Sequence, residues 1–173
     1  MTFDEYVDAR LSALLRYATV VAGDPHLAED LVQDVLLRAQ SRWDRIGRVD
    51  QPEAYVKRMV LNEFLSWHRR VARRALPMRA GALADAVAPV DDPADEVVER
   101  DALIALIATL PPRQRAVVAL RYYEDCSDAE IAELLGCRVA TVRSHAARAL
   151  ATLRSTAEPA LDHPIPTGER HDH

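Results

Sequence analysis

The chain has 173 residues, 49% of them apolar but only 5% aromatic, with five glycines, a composition that favours helices over sheet. Its net charge of −5 conceals alternating blocks: residues 38–76 hold ten Arg and Lys against four acids, and 102–154 hold seven against five, while 1–37, 77–101 and 155–173 are acidic. No apolar run approaches the length of a membrane span, and Asp4, Glu5 and Asp8 interrupt the N-terminus. Neither a spanning helix nor a signal peptide is therefore expected, and the expected localisation is cytoplasmic.

Thr2-Phe3-Asp4-Glu5 reads as a capping box, and Val7, Leu11, Leu14, Leu15, Ala18 and Val21 follow at helical spacing. Gly23-Asp24-Pro25 ends that helix and starts a second, running to about Ser41. Leu27, Leu31, Val35 and Leu36 form its inner face, and Glu29, Asp30, Gln33, Asp34 and Arg38 its outer face. A loop over Trp43–Gln51 follows. Pro52 opens a third helix to about Arg70, with Tyr55, Val56, Met59, Val60 and Phe64 facing inward.

Residues 76–93 lose the helical stripe and read as an acidic, semi-extended linker. Asp92-Pro93 caps the next expected helix, carrying Val97, Leu103, Ile104, Ile107 and Leu110, which Pro111-Pro112 breaks. Further helices are expected over about Arg113–Tyr123, from the second capping box Ser127–Glu130 to Gly136, and from near Ala140 to about Arg154. The tail, with Pro159, Pro164, Pro166, Gly168 and three His, has the composition of a disordered segment. Cys126 and Cys137 fit no zinc spacing and are expected as reduced, buried thiols.

Ser127–Arg154 carries the strongest local pattern, that of a helix-turn-helix. Ala132 is small where two helices would cross, Gly136 can take the positive backbone angle of a tight turn, and Ile131, Leu135, Val139 and Val142 are apolar plugs. The second helix then presents Arg138, Ala140, Thr141, Arg143, Ser144 and Arg148. Arginine forks match guanine edges or phosphates, and small residues let a helix sit deep in the major groove. The competing reading is an ordinary helical hairpin with a solvated arginine face.

Two more segments sharpen the reading. One is Leu27-Ala28-Glu29-Asp30-Leu31-Val32-Gln33-Asp34-Val35, with Pro52–Arg58 and Asn62 after it; the other is Leu110-Pro111-Pro112-Arg113-Gln114-Arg115-Ala116-Val117, leading through Leu120–Tyr123 into the helix-turn-helix. Together, in this order, they resemble the extracytoplasmic-function group of RNA polymerase sigma factors, and the opening segment with Trp43-Asp44 resembles an actinobacterial sigma-E-like subgroup. The resemblance implies an all-α chain of two small helical domains, and the capping boxes and helical stripes predict that these pack as two small cores, residues 3–75 and 97–155. Residues 1–75 would be sigma region two, 76–96 an acidic flexible linker, 97–155 sigma region four, and 156–173 a disordered tail.

The resemblance also implies roles. Asp30, Gln33 and Asp34 match the cluster that docks on core polymerase; read from the residues alone, a solvated charge face would explain them. Arg45, Arg48, Lys57, Arg58, Asn62, Trp67, Arg69 and Arg70 match the part that melts and reads the minus-ten element. Strand opening needs cationic phosphate clamps and a stacking plane. Trp67 is such a plane or a core residue. Arg138, Ala140, Thr141, Arg143, Ser144 and Arg148 would read the minus-thirty-five element. His145 stands where the family usually has a basic residue, and Arg138 where it often has a small polar one, so the preferred DNA sequence does not carry over. The implied partners are core RNA polymerase and promoter DNA, and the resemblance allows an anti-sigma factor. No cofactor, metal site or enzymatic activity is expected, since no phosphate loop or nucleophile motif occurs and the His residues are scattered. The alternative is a conventional helix-turn-helix regulator without sigma activity.

Overall fold

A computed structural model describes residues 1–75 and 95–161, with side chains over residues 1–74 and 100–156. Every element among them is helical: α1 (Phe3–Ala22), α2 (Pro25–Gln40), the single turn α3 (Trp43–Ile46), α4 (Pro52–Ala75), α5 (Asp95–Ala108), α6 (Pro112–Val118), α7 (Asp128–Leu135) and α8 (Val139–Leu161). A π-helical turn, Ala119–Tyr123, continues α6. The linker expected over residues 76–96 lies outside the described residues up to residue 94, as do the Asp92-Pro93 cap and the chain beyond residue 161.

The local signals act where the sequence places them. Thr2 and Glu5 form a reciprocal capping box on α1, and Ser127 and Glu130 another on α7. The Asp24 side chain accepts from the backbone N–H of His26 and Leu27 at the start of α2. Gly23 ends α1 at φ 68°, and a Cβ there would lie 2.8 Å from the Ala108 Cβ, so α1 and α5 meet only because this residue has no side chain.

Some boundaries differ from expectation. The Trp43–Gln51 loop contains α3, whose Trp43 ring packs edge-on against Phe3 and beside Tyr6 and donates from Nε1 to the Met1 carbonyl. Helix α4 runs past Arg70 to Ala75, through Ala and Arg of high helix propensity. Helix α8 continues past Arg154 to Leu161, so residues 156–161 of the expected tail are helical; the Ser155 and Thr156 hydroxyls turn inward to the Thr152 carbonyl.

The largest difference concerns the core. In place of two separate cores, one continuous cluster of buried side chains runs from Tyr6, Val21, Val60 and Phe64 in the first half to Ala116, Leu120, Ile131 and Val142 in the second. Among the described residues, only Leu110, Val118 and Ala149 form a separate small cluster. The junction is built where α1 and α4 pack on α6 and its π-helical extension.

Candidate nucleic-acid and polymerase interface

On α2, the apolar positions Leu31, Val32, Val35 and Ala39 are fully buried, which forces the intervening positions outward. Asp30, Gln33 and Asp34 are all exposed on that outward face. A groove of about 300 Å³ runs alongside, between α1 and α2, lined by Val7, Leu11, Gln33, Leu36 and the exposed Leu37. A polar rim beside an apolar trough suits a helical protein partner. The sequence pattern placed Leu27 and Leu36 in the core; both are only half-buried, and Ala28 and Val32 fill the deeper positions.

Helix α4 divides its polar residues between two faces. Val56, Val60, Leu61 and Phe64 are buried. Arg58, Asn62 and Arg69 are exposed and, at offsets of four and eleven residues, share one outward stripe. Arg45 and Arg48, on and just after α3, are exposed as well. Arg70 is partly committed: it donates to Glu63 at 2.7 Å and to the Ser66 hydroxyl at 3.2 Å. Glu63 also meets Arg38 at 2.7 Å, and the Arg70 hydrogen bond, helped by Arg38, holds its carboxyl below the ordinary range. Trp67 is half-buried, packs against the core and meets His68 edge-on, so it is not a freely presented stacking plane.

Lys57 lies apart from the basic stripe, on the side of Phe64. Its ammonium donates to both carboxylate oxygens of Glu124, at 3.0 and 2.8 Å, and pairs with Glu53 at 3.2 Å. It also sits 5.6 Å from the centre of the Tyr17 ring. Burial works against its charge, but the bonds to Glu124 and Glu53 outweigh it and hold the group above an ordinary lysine. A residue expected to clamp DNA is thus occupied by a carboxylate 67 positions further along the chain.

The side chain that sequence reasoning missed is Arg115, the one buried charged residue among those described. Its guanidinium donates to the carbonyl of Ala22 at the end of α1, of Ala108 at the end of α5 and of Leu110 in the following turn. Helix C-termini leave carbonyls unsatisfied and carry partial negative charge, so one cation there neutralises two helix ends at once. The guanidinium also stands 5.7 Å from the centre of the Phe64 ring. Burial pushes its pKa down to about 10, which leaves it charged at neutral pH. The available signal was its place in Leu110–Val117, between two prolines and a run of apolar residues. Beside it, His68 packs edge-on against Phe64, and burial, with the charge of Arg115, depresses its pKa to about 4.

In the second half, Ile131, Ala132, Leu135 and Val142 are buried and Gly136 turns the chain at φ 60°. These contacts set α7 against α8 as a helix-turn-helix. Arg138, Ala140, Arg143, Ser144 and Arg148 are exposed, while Thr141 is half-buried. Asp128, at the start of α7, holds Arg121 on one side and the Arg143 Nε at 3.2 Å on the other. Arg143 is 71% exposed, so this brace is weak enough to exchange for another acceptor. His145 is half-buried; burial, with Arg113 and Arg148, lowers its pKa. Cys126 and Cys137 are free thiols, half-buried rather than enclosed, and burial raises the pKa of Cys126.

Comparison with known proteins agrees with this layout. Residues 4–74 match the family described as Sigma-70 region 2, and residues 100–153 the family described as Sigma-70, region 4. The RNA polymerase sigma-E factor of Streptomyces avermitilis is 39% identical over 158 residues, covering 91% of this chain and 86% of the relative. The ECF RNA polymerase sigma factor SigL of Mycobacterium tuberculosis is 32% identical over 153 residues, 86% of this chain and 85% of its own. Among solved structures, the sigma factor RpoE of Bartonella quintana, crystallised with the anti-sigma factor NepR, superposes with a TM-score of 0.68 at 23% identity, covering 93% of this chain and 98% of that one.

Proposed function

The chain belongs to the extracytoplasmic-function group of the sigma-70 family, and from that premise we propose which of its surfaces perform each step of transcription initiation. It is a sigma factor that binds core RNA polymerase, directs it to promoters and promotes strand opening; in that role it recognises DNA and is not itself the catalyst. Asp30, Gln33 and Asp34 dock on the polymerase, beside the apolar groove between α1 and α2. Arg45, Arg48, Arg58, Asn62 and Arg69 engage the minus-ten element, the cations on phosphates and Asn62 on a flipped base. Lys57, Trp67 and Arg70 join them once their present partners release them. Arg138, Ala140, Thr141, Arg143, Ser144 and Arg148 read the minus-thirty-five element through the major groove. An anti-sigma factor is a further expected partner, and the site of action is the cytoplasm.

The observation that carries this reading is the pairing, in one chain, of an exposed acidic-polar face on α2 with an exposed basic stripe on α4 and a separate helix-turn-helix. A conventional regulator needs only the last. Run-off transcription with core polymerase on a genomic promoter library, with permanganate footprinting of opened DNA, tests it. Asn62→Ala and Arg69→Ala should leave closed complexes nearly intact and reduce strand opening. If the free protein binds its site tightly without polymerase and both variants open DNA normally, the chain acts as a conventional regulator.

A further inference from the structure

A second groove, of about 430 Å³, has no part in the function proposed above. It lies between α1, α5, α8 and the π-helical turn, floored by Ile107 and Val118 and bordered by Leu153. Three of the five large apolar side chains exposed on the described surface, Leu103, Tyr122 and Tyr123, stand on its rim. Such clustering marks a binding surface rather than scattered exposure. Arg16 and Arg100, both exposed, give the rim a positive edge.

Two neighbouring tyrosines over an apolar trough are the features that receive proline-rich chain. A polyproline II segment loses little entropy on docking, because proline has already fixed its backbone, and its rings lie flat on aromatic faces. The chain carries such a segment directly after α8: Asp162-His163-Pro164-Ile165-Pro166-Thr167-Gly168-Glu169. We propose that residues 162–169 fold back along α8 and seat Pro164-Ile165-Pro166 in this groove, with Asp162 and Glu169 toward Arg16 and Arg100.

The reach is sufficient. Leu153 borders the groove and α8 ends at Leu161, so the chain must return over eight helical residues, about 12 Å. Four residues of polyproline II chain, Leu161 to Ile165, span about the same distance. The charges also match, since residues 162–173 hold Asp162, Glu169 and Asp172 against Arg170 alone. The groove takes one wall from α1 and the others from the second half of the chain. A seated tail therefore straps the two halves together, and it is lost when they separate.

The test compares the full chain, a chain ending at Leu161 and full-length Ile165→Asp by methyl NMR. Truncation should shift the Leu103, Ile104 and Ile107 methyls, Ile165→Asp should reproduce those shifts, and a synthetic peptide of residues 161–173 should reverse them in the truncated chain. Arg100→Glu in the groove should weaken the peptide by about two- to fivefold, the range of a surface ion pair, while Arg138→Glu should not change it. Groove methyls that ignore truncation overturn the proposal. So do shifts that follow protein concentration together with dimer formation in sedimentation, which would make a second copy the occupant.

Discussion

The guanidinium of Arg115 donates to the carbonyl of Ala22, the last residue of α1, and so fixes the start of α6 to the end of the first helix hairpin. Replacing Arg115 by Ala strands the carbonyls of Ala22, Ala108 and Leu110 with no donor. The expected loss is about 2–4 kcal/mol, read from urea unfolding. Arg115→Lys should recover only part of it, because an ammonium lacks the fork that spans three acceptors.

Lys57 and Glu124 couple the two halves through a half-buried pair. A double-mutant cycle of Lys57→Ala and Glu124→Ala should show a coupling energy of about 1 kcal/mol, above that of a freely exposed pair. Glu124→Gln with Glu53→Gln should also free Lys57 for DNA, measured as faster open-complex formation in holoenzyme. A coupling energy near zero would mean the pair forms without holding anything.

Asp30→Arg with Asp34→Arg should abolish assembly with core polymerase. Because both side chains are exposed, the unfolding free energy should move by no more than about 0.5 kcal/mol. Holoenzyme that still forms at wild-type affinity would remove these residues from the docking face.

Arg143 and Arg148 should differ in kind. Arg143→Ala should cost roughly 1–3 kcal/mol of promoter binding and relax sequence preference at one position, if its contact is a bidentate one to guanine. Arg148→Ala should weaken all sequences alike and lower the salt slope of binding by about one. Both are read by titrating holoenzyme on promoter variants at several salt concentrations.

The packing should loosen in mild acid. His68 is neutral in the folded chain because burial and Arg115 depress its pKa to about 4, against an ordinary 6.5. The unfolded chain therefore takes up the proton first. The stability contributed by neutral His68 is complete above pH 6.5 and declines as pH falls toward 4. Carboxylates held low in the fold, such as Glu63 with Arg70, keep their stabilisation in full above their ordinary 4.5 and lose it only below that value, outside this window. Between pH 7 and 5, His68→Phe should thus lose less stability than the parent chain, measured as the change in urea midpoint.

Much of this was legible before the structure. Capping boxes, Asp24, Gly23 and Gly136 act within a few residues, so their patterns identify helix ends directly. The exposure of Asp30, Gln33 and Asp34 follows from the period of α2. Periodicity shows which face of a helix is apolar but not what covers it. That is why the pattern alone gives α1 and α4 a core of their own, and why Lys57 reads as a free phosphate contact. Its partner Glu124, and the Ala22 carbonyl bound by Arg115, lie 67 and 93 positions away. No local pattern reports such pairings. Tyr6 and Tyr17 are fully buried too, at positions that the stripe of Leu and Val alone does not include.

The shared core also bears on how the protein is made. The core that holds Phe64 and Val21 also takes in Leu120 and Ile131, which are translated later. At about 5–20 residues per second, Leu120 follows Ala75 by roughly 2–9 s. Throughout that interval α1 and α2 cover most of the apolar stripe of α4, but the parts of α1 and α4 that pack on α6 and its extension have nothing of their own to cover them. Nascent chains stalled or cleaved before α6 are therefore the forms of this protein that chaperones must shield, and translation rate through residues 76–120 sets how long each molecule spends in that exposed state.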